Sequence, residues 1–97
     1  MLAYMRLISN RALTSFASIH PPADVPLQSW RKAIEAGQYL DFAARKKTFN
    51  SVDRVGMYHV FNVGGNKYSV VVAIHFNNQV AYIRHVLTHK EYDNWKP

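Results

Sequence analysis

The residues of this 97-residue chain whose types could do chemistry gather near its end. The run Thr88-His89-Lys90-Glu91-Tyr92-Asp93 holds an imidazole, an ammonium and a phenol side by side. Lys67, Ser69 and Arg84 stand upstream of it. Histidine moves protons near neutral pH because its ordinary pKa lies near 6.5. Lysine and arginine neutralise phosphate charge, and arginine can grip a phosphate through two hydrogen bonds. Together these are the groups that metal-free cleavage of an RNA phosphodiester requires. A base activates the 2′-hydroxyl, an acid protonates the leaving 5′-oxygen, and cations stabilise the crowded phosphorane. In an arbitrary protein a histidine in a polar run is more often a plain surface residue. Tyr92 could likewise be a rim aromatic rather than a group that stacks on a base.

These residues are carried by a stretch that reads as three strands. Tyr58–Val63 is rich in aromatic and β-branched residues, Lys67–Phe76 contains Val70, Val71, Val72 and Ile74, and Gln79–Leu87 contains Val80, Tyr82, Ile83 and Val86. Gly64-Gly65-Asn66 tolerates positive φ and suits a hairpin, and Asn77-Asn78 reads as a two-residue turn. Connections this short imply an antiparallel meander. Alternation puts Tyr68, Val70, Val72, Ile74 and Phe76 on the core face and Lys67, Ser69, Val71, Ala73 and His75 on the other. Lys67 and position 69 are therefore expected at one end of an exposed groove. On the third strand alternation groups Tyr82, Arg84 and Val86 against Ile83, His85 and Leu87, and Arg84 is assigned to the groove. His59, His75 and His85 lack metal-ligand spacing and are read as structural or surface residues.

Before the strands come two helical patterns. Ser9 or Asn10 can cap the first, whose Leu13, Phe16 and Ala17 share a face, and Pro21-Pro22 ends it. The second starts near Asp24 with Pro26 in its first turn; Leu27, Trp30 and Ile34 share one face and Gly37 stops it. The pair forms a helical hairpin suited to covering one face of the sheet. The segment Tyr39–Val55 has no clear period; Phe42, Phe49 and Val52 are expected to anchor it. Its basic run Arg45-Lys46-Lys47 is either a solvated stretch or a phosphate contact.

Composition bounds the rest. The length suits one small domain, spanning residues 1–97, and 48% apolar residues suffice for a modest core. A formal charge of +6 favours a polyanionic partner. The absence of cysteine excludes disulfides and thiolate metal sites and fits a reducing, cytoplasmic compartment. No signal-peptide or membrane-span pattern is present, and no metal or other cofactor is expected.

VFNVGGNKY, followed about twenty residues later by YIRHVLTHKEYD, resembles the signature of HigB-type toxins of type II toxin–antitoxin modules, within the RelE/ParE superfamily. The likeness extends more loosely back to Met5, so Met1–Tyr4 are read as an N-terminal extension, and Met5–Ile8 becomes the first strand. The resemblance implies an α+β, RelE/ParE-like small domain with two N-terminal helices packed on a mainly antiparallel twisted sheet. It implies an mRNA endonuclease, often acting on the ribosome, that is neutralised by a helix-turn-helix, HigA-like antitoxin. Operator DNA would then be reached only through that antitoxin.

Carried onto this chain, the resemblance makes His89, Lys67, Arg84 and Tyr92 the catalytic candidates. Asn66, Lys90, Arg45, Lys46 and Lys47 are the RNA-binding candidates. The family pattern continues GGNKYR, with arginine as the phosphate clamp where this chain has Ser69. Serine is neutral and too short to replace it, which implies attenuated activity. Two other readings compete: a ParE-like toxin acting on a protein target, and a non-catalytic module that binds antitoxin or RNA. The THKEYD run argues against the first, and Ser69 keeps the second open.

Overall fold

A computed structural model describes residues 6–8, 10–36, 52–65 and 67–95. The expectations for Met1–Met5, Ser9, Gly37, Phe42, Arg45, Lys46, Lys47, Phe49 and Asn66 lie outside the described residues. The architecture is α+β. In chain order it comprises β1 (Arg6–Ile8), α1 (Asn10–Ile19), a short 3₁₀ turn (Pro21–Ala23), α2 (Asp24–Ala36), β2 (Val52–Val55), β3 (Tyr58–Val63), β4 (Tyr68–His75), β5 (Val80–Thr88) and α3 (His89–Asp93). The sheet is mixed, ordered β1-β5-β4-β3-β2. β2 to β5 pair antiparallel in sequence, and β1 pairs parallel to β5 at one edge.

The helices form because their apolar residues fall on one side. Leu13 and Ala17 of α1 and Leu27, Trp30 and Ile34 of α2 are buried. They meet Phe61, Val63, Tyr68, Val70, Val72, Ala81 and Ile83 from one face of the sheet. Trp30 packs edge-on against Phe61 with ring centroids 5.3 Å apart, and Phe16 does the same to Tyr68 at 5.7 Å. Phe16 and Ile74 are half-buried at the margin of this core. β2 was not legible as a strand. Its Val52 is fully buried, but Asp53 and Arg54 are exposed, as an edge strand allows.

Two details of the strands depart from the simple reading. The β4–β5 connection is a four-residue turn, Phe76–Gln79, not the two-residue Asn77-Asn78 turn. Gln79 takes φ +53°, and its side-chain amide donates to the Phe76 carbonyl at 2.9 Å, which helps hold this left-handed conformation. The second departure is a bulge. Val72 faces Ile83 and Val71 faces His85, so Arg84 is an extra residue in β5. Beyond it the alternation changes phase. Val86 pairs with Val70 on the core face, while His85 and Leu87, opposite Val71 and Ser69, turn to the second face. The expectations that Arg84 and His85 point to opposite faces, and that Val86 lies on the groove side, are corrected by this inserted residue.

Candidate active site

The second face is not an open groove. Val60, Val71 and Ser69 lie on it and are almost fully buried. The cover is α3, which packs on β5 and β4, together with Trp95 just beyond it. The Trp95 ring lies 5.9 Å from His85 on β5 and 5.9 Å from Tyr58 on β3, so it spans β4. The Tyr92 ring stacks near-parallel to it at 6.0 Å.

Three interactions fix α3, which is too short to be stable alone. The Thr88 hydroxyl accepts from the Glu91 N–H at 3.2 Å, and the Glu91 carboxylate accepts from the Thr88 N–H at 2.8 Å. This reciprocal cap satisfies two otherwise orphaned donors. The His89 N–H donates to the Lys67 carbonyl at 3.0 Å. That bond extends the Tyr68–Thr88 pairing by one step and ties the helix to the β3–β4 hairpin. In the hairpin Gly64 and Gly65 take φ +67° and +62°, where a side chain would be strained. A Cβ on Gly64 would also stand 3.2 Å from the Tyr68 ring.

Lys67, His89 and Lys90 thus share one end of the sheet, all exposed. The His89 side chain is 67% exposed, and its Nε2 lies 3.6 Å from the Asp93 carboxylate one turn away. A protonated imidazole there has a weak, solvent-screened ion pair. The Tyr92 phenol is pushed above its ordinary pKa of 10.0, first by burial and then by the charges of Asp53 and Asp93. Tyr92 is therefore a protonated hydroxyl at any neutral pH and can donate a hydrogen bond.

Arg84 and Ser69 sit differently from the sequence expectation. Arg84 lies five residues before His89 along β5, and its guanidinium rests over the Tyr82 ring at 5.7 Å. It is on the second face, and among the described residues it forms no hydrogen bond, ion pair or ring contact with His89 or Tyr92. Ser69 shares the second face, yet it is only 2% exposed, so it is not at an exposed groove mouth. Its hydroxyl lies a long 3.5 Å from Asn62 Oδ1. Alternation alone marked the position as open; α3 and Trp95 folding back over the sheet are what alternation could not show.

The sequence reading passed over Asp53, Thr88, Glu91 and Trp95. Thr88-x-x-Glu91 is a capping-box pattern and was readable as a helix start. Nothing local marked Asp53 or Trp95. His75 packs on Tyr82 at the far end of β4, and His59 is buried on the helix side beside Phe76, away from α3. Among the described residues no group of three or more His, Asp or Glu side chains could hold a metal ion.

Fold and site together define a small basic α+β protein with an imidazole, two ammoniums and a protonated phenol at one end of an antiparallel meander. Residues 23–95 match the HigB toxin family, described as the RelE-like toxic component of a toxin-antitoxin system. The chain is also similar to the mRNA interferase toxin HigB of Escherichia coli K12, with 38% identity over 92 residues, 92% of this chain and 88% of that protein. The mRNA interferase HigB of Shigella flexneri matches to the same extent, and that of Escherichia coli O6:H1 is 26% identical over 92 residues. This chain belongs to the HigB toxin family.

Proposed function

We propose that this toxin cleaves messenger RNA without a metal, at the end of the sheet where α3 meets the β3–β4 hairpin. His89 takes the proton of the 2′-hydroxyl and returns it to the departing 5′-oxygen. The 2′-oxygen forms a bond to phosphorus as the P–O5′ bond breaks, giving a 2′,3′-cyclic phosphate and a 5′-hydroxyl. Lys67 and Lys90 face the phosphate charge, and Tyr92 donates from its hydroxyl to a phosphate oxygen. The observation that carries the reading is the 3.0 Å bond from the His89 N–H to the Lys67 carbonyl, which brings imidazole and ammonium to one edge. The names of the similar proteins support the substrate class.

The finer picture belongs to the same proposal. The helical hairpin over the sheet is read as RelE/ParE-like packing. The toxin works in the cytoplasm, cutting mRNA on the ribosome. A HigA-like helix-turn-helix antitoxin holds it inactive and carries the pair to operator DNA. Asn66, Arg45, Lys46 and Lys47 are proposed as further RNA contacts. One observation favours a second, non-catalytic reading: the place of the family arginine holds a buried serine.

Primer extension on cellular mRNA after brief induction tests the assignment. New 5′ ends should appear with the wild-type chain. His89→Ala should lower cleavage by about 10²–10⁴, the usual share of one proton-transfer group. Its melting temperature should barely change, because the side chain is exposed. His89→Gln should not rescue, since glutamine bonds but carries no proton. Unchanged cleavage by His89→Ala would remove His89 from the mechanism.

A further inference from the structure

We propose that the β5 bulge builds a second phosphate subsite, in which Arg84 and His85 hold an RNA phosphate flanking the one that is cut. The inference rests on RNA being the substrate of the site described above.

The bulge is the first support. A regular strand would place Arg84 and His85 on opposite faces. The extra residue puts His85 opposite Val71 on the second face, while Arg84 lies over Tyr82, which faces Ala73 on that side. An arginine and a histidine consecutive in sequence thus present their side chains to one surface.

The second support is what these side chains leave undone. Both are exposed. Among the described residues neither forms an ion pair or a side-chain hydrogen bond. The Tyr82 ring supports the guanidinium by a cation–π contact without using its N–H fork. A planar cation braced on an aromatic ring, with its donors unspent and an imidazole beside it, matches the oxygens of a phosphodiester.

Position supplies the third support. His85 and His89 are four residues apart on a chain that is extended as far as Thr88, roughly 13 Å at about 3.3 Å per residue. That is about two nucleotide steps along a stretched RNA strand. Between them lie the rings of Trp95 and Tyr92, the first 5.9 Å from His85 and the second 6.0 Å from the first. One phosphate would sit at Lys67 and His89, the intervening bases along the Tyr92–Trp95 edge, and the flanking phosphate, two steps along, at Arg84 and His85. Bases stack on such rings with little regard to sequence.

The test uses the whole chain and non-cleavable 2′-O-methyl oligoribonucleotides of two lengths. One is a dinucleotide, too short to reach the bulge; the other is long enough to span both ends. Arg84→Gln/His85→Gln should weaken binding of the longer strand about tenfold. Its salt dependence should fall by about 0.7 in slope, the contribution of one single-strand phosphate contact. Dinucleotide affinity should hold. Arg84→Gln alone, at an exposed bulge position, should lower the slope by about 0.7 and keeps the test decisive should the double variant unfold. Equal losses on both lengths, or an unchanged slope on the longer strand, would overturn the subsite. If the wild-type chain cuts mRNA while the variants keep their slope, only the subsite falls. If the wild-type chain neither cuts mRNA nor binds either strand, the RNA assignment falls with it.

Discussion

Ser69→Arg sets two calculable effects against each other. The side chain at 69 is buried between its cross-strand partners Asn62 on β3 and Leu87 on β5. Losing the serine hydroxyl costs little, because its contact to Asn62 is 3.5 Å long. Forcing a longer chain into this row overpacks it, at about 1–3 kcal/mol. For a domain of this size each kcal/mol lowers Tm by about 4–8 °C. The guanidinium has a way out, since residue 69 lies next to Tyr68, whose partner Thr88 begins the α3 cap. Emerging there, it would stand beside Lys67 and His89, where a placed donor contributes roughly 10²–10³ in rate. We therefore expect Ser69→Arg to melt several degrees lower and yet to cut mRNA about 10²–10³ faster. Ser69→Met, nearly as long and uncharged, should show the melting loss without the gain. The assay is cleavage of one transcript with ribosomes present and absent, alongside thermal melts of all three proteins. Equal rates for the arginine and methionine variants would refute the reasoning, because the charge would then not reach the scissile phosphate.

Two further outcomes follow from α3. Thr88→Ala removes one half of the reciprocal cap and should lower stability by about 1 kcal/mol in urea titration; cleavage should fall further than that loss alone explains, because His89 follows the cap directly. Burial and the nearby carboxylates raise the Tyr92 pKa in the folded state, so its contribution to stability is whole below the unfolded value near 10 and is lost as pH rises through the folded value. The urea midpoint should thus decline above about pH 10; Tyr92→Phe should remove that part of the decline, and an identical profile in the variant would show that another group is responsible.

The legible parts of this chain were those in which one period governs one element. Leu27, Trp30 and Ile34 repeat at helical spacing and are buried together. Val70 and Val72 alternate on β4, and both lie in the core. Illegibility began wherever an element broke its own period or met a partner far away in sequence. Arg84 interrupts β5 without a glycine to mark it, and one inserted residue reverses every face assignment after it. Val52–Val55 carries two charged residues in four and is a strand because β3 lies beside it. Ser69 alternates onto a face that looked solvated and is covered by a helix twenty residues later. The candidate site was readable only as a set of residue types near α3. Its division between the helix end and the bulge was not, because that depends on register.

Charge near the proposed cutting site explains why this register matters. Lys67 and Lys90 supply two ammoniums at the α3 end. Against them stand three carboxylates: Glu91 in the cap, Asp93 beside His89, and Asp53, whose charge reaches Tyr92. The cap that holds α3, and the part of the raised Tyr92 pKa that burial does not supply, are thus made with negative charge. Among the described residues, the neighbourhood proposed for the cut phosphate thus holds no surplus of ammonium over carboxylate charge, although the chain as a whole carries a formal +6. Phosphate attraction must come from outside the α3 cluster. An arginine at position 69 would bring it from β4, and this chain has serine there. Arg84, turned onto the same face as His85 by the bulge and free of a carboxylate partner among the described residues, is the nearest described cation along β5 that can supply it. Removing Arg84 should therefore cost this chain more affinity for the longer 2′-O-methyl strand, read by titration, than removing either Lys67 or Lys90, whose end of the sheet also holds the Glu91 and Asp93 carboxylates.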